Sequence, residues 1–137
     1  MIVLRELLAK IADALKVDYV VSQGVLQNGG KYRKWKSGRA EFWYHTYMSS
    51  GVTTKVWVSP IYYEDYASWS NVWAGVFNSA PSNVICASNN SQFINIIPYS
   101  YDSSGVTAMR FLSCGAKTAQ AYAFTLYAVG TWGGGTS

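Results

Sequence analysis

The chain has 137 residues, of which 50% are apolar, 16% aromatic and 13% charged, with a formal net charge of +4. That length suits one domain with a real core, and a charged fraction well below the usual ~25% leaves the surface to Ser, Thr, Asn, Gly and Tyr. Lys31, Arg33, Lys34, Lys36 and Arg39 gather the positive excess in one stretch, which excludes a whole-surface basic field for nucleic acid, and no 18-residue apolar run is present to insert into a membrane.

The pattern predicts a helix over 1–17. Leu4, Leu8, Ile11 and Leu15 share one stripe, flanked by Leu7 and Ala14. Arg5, Glu6, Lys10 and Asp13 interrupt the apolar face, so it does not read as a secretory signal. Written as heptads, the stripe places Leu8 and Leu15 at a and Leu4 and Ile11 at d. That choice leans toward three or four strands rather than two. A helix this short is marginal alone. Residues 1–18 are therefore expected to form a stalk helix in a short trimeric bundle. The alternative is an amphipathic helix packed on its own domain.

From Tyr19 onward the period is two. Gln27-Asn28-Gly29-Gly30 is a turn signal. Lys31 to Trp35 and Arg39 to Met48 read as strands around Lys36-Ser37-Gly38, and Val52 to Ser59 as the next strand. Arg39, Glu41, Trp43 and His45 fall on one face of their strand, while Ala40, Phe42, Tyr44 and Thr46 fall on the other, core-like face. Pro60 to Ser70 reads as a Tyr-rich connection. Strands are expected at 71–77, 83–88 and 92–97, a loop at 99–105, and final strands at 106–112 and 119–132. Ser-Ser-Gly-Val-Thr occurs at 49–53 and again at 103–107, read as one turn chemistry used twice. The last strand is apolar on both faces, which predicts burial on both sides. The expected fold is mainly β: an antiparallel, jelly-roll-like β-sandwich at 19–132 after one N-terminal α-helix, with a flexible tail at 133–137.

The hairpin Tyr32-Arg33-Lys34-Trp35-x-Ser37-Gly38-x-Ala40-Glu41-x-Trp43 resembles the segment that opens the C-terminal head domain of phage and prophage tail-fibre and minor structural proteins of Gram-positive and gut bacteria. The match is dense in the hairpin and looser beyond it. Phe42 stands where many members have Cys, and Tyr44 and His45 replace the Gly that often follows Trp43. The resemblance implies a homotrimeric head on a helical stalk at the phage tail tip, a component of the virion that attaches to the host surface. By that reading the chain is the distal piece of a longer fibre.

A catalytic site is hard to assemble. The chain has one histidine, His45, and seven carboxylates, three of them in or just after the helix. A glycosidase needs two carboxylates facing across a cleft; Glu64, Asp65 and Asp102 are the available ones, and no spacing demands the pairing. Gly-x-Ser-x-Gly, metal-ligand spacings and phosphate loops do not occur. The reading is therefore a non-enzyme with no cofactor and no metal. Cys86 and Cys114 read as reduced, buried thiols. Asn89-Asn90-Ser91 matches a glycosylation sequon, a weak signal in a chain of bacterial type.

Saccharide binding needs flat aromatic faces together with Asn, Asp and Tyr hydrogen bonds. The richest supply is 57–73, with Trp57, Tyr62, Tyr63, Asp65, Tyr66, Trp69 and Trp73, followed by Tyr99, Tyr101 and Asp102. All of these except Trp57 form the expected glycan-binding set, with burial in the core as the competing fate of each ring. Leu4, Leu8, Ile11, Leu15, Arg39, Glu41, Trp43 and His45 form the expected subunit interface. The expected function is a receptor-binding head for a bacterial cell-surface saccharide or teichoic-type polymer. The alternatives are a structural trimerisation or capping module without a ligand of its own, and a small glycan hydrolase.

Overall fold

A computed structural model describes residues 3–66, 69–88, 94–117 and 120–133; the side chains of residues 47–52, 66 and 120–121 lie outside the description. One helix, α1 (Leu4–Ala14), precedes nine strands: β1 (Val20–Val25), β2 (Lys31–Trp35), β3 (Arg39–Val52), β4 (Lys55–Val58), β5 (Ile61–Tyr66), β6 (Asn83–Ser88), β7 (Ile94–Tyr101), β8 (Val106–Ser113) and β9 (Gln120–Thr131). The strands form two antiparallel sheets, ordered β1-β2-β3-β9-β6 and β4-β5-β8-β7. The mainly β expectation and the two hairpin strands hold.

Alternation builds the core. Ala40 and Phe42 of β3 and Phe124, Leu126 and Ala128 of β9 are fully buried on one face of the five-stranded sheet. Ile96 of β7 and Met109 and Phe111 of β8 are buried on one face of the other. These side chains belong to one apolar cluster, and Phe111 stacks on Tyr122 of β9 with centroids 6.2 Å apart. The hydroxyl of Tyr122 is a buried polar group without a hydrogen-bond partner among the described residues.

Several expectations need correction. The segment 71–77 is not a strand but a chain of turns. Asn71 (φ 61°) and Gly75 (φ 85°) take left-handed backbone angles that break extended geometry. Val72, Trp73, Val76 and Phe77 are all buried, so the segment inserts its apolar residues at helix-like spacing and works as a plug. It is held by the Trp69–Val106 bridge and by the Trp73 N–H donating to the Ser104 carbonyl at 3.1 Å. Gly105 is required there, because a Cβ would lie 2.5 Å from the Trp69 carbonyl oxygen.

Conversely, the expected connection at 60–70 contains β5. Pro60 sits in the turn before it, after which Ile61, Tyr62 and Tyr63 supply strong strand formers. Strand β7 runs on through Tyr99 to Tyr101, where a loop was expected. The first Ser-Ser-Gly-Val-Thr is no turn: its residues to Val52 continue β3, with a register irregularity between Met48 and Val52. The second is a tight turn, its Asp102 N–H donating to the Gly105 carbonyl at 2.9 Å.

Strand β9 is paired on both edges, to β3 and to β6, but only one of its faces is fully buried. Ala123, Thr125, Tyr127 and Val129 on the other face keep partial exposure. Cys86 and Cys114 are free thiols, and Cys114, expected to be buried, is exposed in the bend after β8. The sequon at 89–91, residues 92–93 of the expected strand and residues 134–137 of the expected tail lie outside the described residues.

The candidate aromatic platform around Arg110

The register of the four-stranded sheet assembles the most distinctive surface. Lys55 pairs with Tyr63, Asp65 with Arg110, and Arg110 with Ile97. Cross-strand partners share a face, so Lys55 and Trp57 of β4, Tyr63 and Asp65 of β5, and Arg110 of β8 all stand on the outer face. Tyr99 of β7 joins them past a bulge between Pro98 and Ser100.

Arg110 is the hub. Its Nε donates to Asp65 Oδ1 at 2.6 Å and its Nη2 to Asp65 Oδ2 at 3.1 Å, a two-pronged ion pair. The guanidinium carbon lies 5.2 Å from the Trp57 ring centre, 5.1 Å from that of Tyr63 and 5.5 Å from that of Tyr99. Lys55 Nζ lies 5.1 Å from the Tyr63 ring. Trp57 meets Tyr63 edge-on, with centroids 5.8 Å apart. Hydrogen bonding to Arg110 holds the Asp65 carboxyl below its ordinary pKa, against a smaller opposing effect of burial.

These contacts fix the side chains without hiding them. Trp57 is 53% exposed and Tyr99 52% exposed. The platform offers two open rings, a fixed guanidinium and a carboxylate to a flat polar ligand.

The expected glycan-binding set divides. Tyr63, Asp65 and Tyr99 are on the platform. Tyr62 pairs with the buried Ser113 and lies on the opposite, inner face. Trp73 is fully buried, its indole N–H donating to the Asp102 carbonyl at 3.1 Å. Trp69 packs edge-on against Phe124, with centroids 5.1 Å apart, and Tyr101 also packs on the core. Asp102 is committed locally, its Oδ1 accepting from the backbone N–H groups of Ser104 at 2.8 Å and Gly105 at 3.0 Å. The side chain of Tyr66 lies outside the description. Trp57 was recognised as a ring but not placed, while Lys55 and Arg110 were missed. The signal for Lys55 was its alternation with Trp57. Arg110 needed the strand pairing.

The interface set forms a second face. Arg39, Glu41, Trp43 and His45 stand together on the outer side of the five-stranded sheet, as expected from alternation. Glu41 accepts from the Tyr127 hydroxyl at 2.8 Å and from Arg39 at 3.5 Å, with Arg33 at 3.9 Å. Arg33 lies over Trp43 and Arg39 over Trp35. His45 Nδ1 is 3.1 Å from Thr125 Oγ1. Of the basic hairpin residues, Lys34 is also engaged, donating to the Gly75 carbonyl at 3.1 Å. Three of the five cations of the hairpin stretch, Arg33, Lys34 and Arg39, thus make contacts within the chain.

Leu4, Leu8, Ile11 and Leu15 are 46–70% exposed, and α1 buries no residue. A groove of about 690 Å³ runs between α1 and β1, lined by Leu4, Leu8, Ala9, Ala12, Tyr19 and Val20 among others. No described helix is long and apolar enough to cross a membrane, and no group of three or more His, Cys, Asp or Glu gathers among the described residues. Comparison with protein-family models, with curated proteins and with solved structures finds no match to this chain.

Proposed function

We propose that the chain is the head of a phage tail fibre, which attaches to a saccharide on the bacterial surface through the Arg110 platform. The observation that carries this reading is the pair of half-exposed rings, Trp57 and Tyr99, set around one fixed guanidinium. A sugar presents an apolar C–H face and a rim of hydroxyls. Stacking on each ring contributes roughly 1 kcal/mol, and Asp65 and Arg110 supply an acceptor and a donor for the rim. Such a site is weak singly, so a trimer gains on the order of 10²–10⁴ in avidity. The exposed stripe of α1 supports a bundle of three such helices, and the jelly-roll-like sandwich and a place at the tail tip belong to the same reading.

The test is a glycan array with host-cell binding as its companion. Trp57→Ala and Tyr99→Ala are each expected to weaken single-site binding about 5-fold, and multivalent binding by more, while the circular dichroism and melting temperature stay near wild type. Full binding by both variants rules the platform out. The structural alternative, a trimerisation module without a ligand, is favoured by the same stripe on α1. It predicts a trimer mass in light scattering and no retention on any glycan.

A further inference from the structure

Within the proposed platform, the charges do not cancel, and the surplus is oriented. Asp65 engages Nε and Nη2 of Arg110, leaving Nη1 without a hydrogen bond among the described residues. Lys55 Nζ has no carboxylate within ion-pair distance among those residues. The hairpin face has the same ratio of two cations to one carboxylate, but there both arginines reach Glu41. Lys55 and Arg110 are each 5.1 Å from the centre of the Tyr63 ring. Two cations are thus gathered around one phenol, with one carboxylate between strands to share.

Tyr63 therefore serves as the spacer of a cationic corner rather than as an open stacking surface. The free stacking surfaces are Trp57 and Tyr99, both beside that corner. A ligand that lays a ring on either one brings its substituents toward Nη1 of Arg110 and the Lys55 ammonium. Neutral hydroxyls would leave the surplus charge unmatched. A carboxylate or phosphate would match it by accepting from either group, and charge-assisted hydrogen bonds are about twice as strong as neutral ones.

We infer that the platform selects an acidic saccharide, one whose sugar ring carries a carboxylate or a phosphate, with Lys55 and Nη1 of Arg110 as its anion-recognising corner. This rests on the proposed glycan-binding role and specifies its ligand class.

The experiment compares three immobilised probes: an oligogalacturonate, the corresponding neutral galacto-oligosaccharide and a glycosylated glycerol-phosphate oligomer. Wild-type protein is expected to bind at least one acidic probe about 10-fold more tightly than the neutral one, as one charge-assisted contact of ~1.5 kcal/mol gives. The acidic probe that wins identifies carboxylate or phosphate as the source of the charge. Lys55→Gln, an exposed change on an edge strand, is expected to weaken acidic binding more than neutral binding and so to reduce the preference. Arg110→Lys is expected to reduce both. Equal affinity for acidic and neutral probes overturns the inference while leaving the glycan-binding role standing. Acidic binding that survives Trp57→Ala together with Tyr99→Ala also overturns it, since that pattern is ion exchange on a basic protein. Failure of all three probes to bind, with binding to neutral sugars kept on the glycan array, overturns the inference alone; failure on the array as well overturns the glycan-binding role.

Discussion

Replacing Trp73 by Phe separates core from ligand site in one experiment. The indole is fully buried, packs edge-on against Phe42 and Phe77 with centroids 5.9 Å away in each case, and donates to the Asp102 carbonyl at 3.1 Å. Phe keeps one ring and loses the other with its N–H. The lost apolar area, on the order of 50 Å², is worth ~1.3 kcal/mol at 25 cal/mol per Å². The lost hydrogen bond adds ~1 kcal/mol and leaves the Asp102 carbonyl unpaired. The expected destabilisation is therefore ~2–3 kcal/mol. For a domain of this length, 1 kcal/mol moves the melting temperature by roughly 3–4 °C, so thermal unfolding should fall by about 6–12 °C. Glycan binding below that temperature should be unchanged. A variant that melts like wild type yet loses binding would refute the assignment of Trp73 to the core.

Three further outcomes are expected. Tyr122→Phe removes a buried hydroxyl that has no partner among the described residues; it should leave stability unchanged or raise it by ~1 kcal/mol, whereas a loss above ~1 kcal/mol would mean the hydroxyl is satisfied in solution. Asp18 accepts from the Ser37 hydroxyl at 2.6 Å and the Ser37 N–H at 2.9 Å, and these bonds lower its pKa below 3.8. A carboxyl depressed in the folded state stabilises above its unfolded pKa, and that contribution is lost as pH falls through the folded value; Asp18→Asn should thus lower stability at neutral pH and flatten the acid limb below about pH 4, in pH-dependent urea titrations. Burial pushes the Cys86 thiol up to about 12, whereas Cys114 is exposed. A thiol reagent at pH 8 should then label Cys114 alone in native protein and both cysteines in denaturant, which mass spectrometry resolves.

The local pattern was readable wherever one physical period dominated. Alternation along 39–46 assigned Ala40 and Phe42 to the core and Arg39, Glu41, Trp43 and His45 to the opposite face, because side chains on a strand must alternate. The helix followed from its 4-3-4 spacing. Failures arose where aromatic content was read without a backbone conformation. The rings at 62–73 looked like one loop cluster, yet Tyr62 and Tyr63 point to opposite faces of β5, and Trp69 and Trp73 enter the core. Adjacent residues on a strand diverge, so closeness in sequence separated them.

What the sequence determined by itself was the mainly β composition after one amphipathic N-terminal helix, the β2–β3 hairpin and the sidedness of β3, all consequences of periods of 3.6 and 2 in one short window. Only the tertiary structure decided the platform. Asp65 and Arg110 lie 45 positions apart, and Trp57, Tyr63 and Tyr99 come from three strands. Their meeting depends on antiparallel register, and a shift of one residue would send every one of these side chains to the other face. Register is set by long-range pairing across the sheet, which no local window of the chain contains.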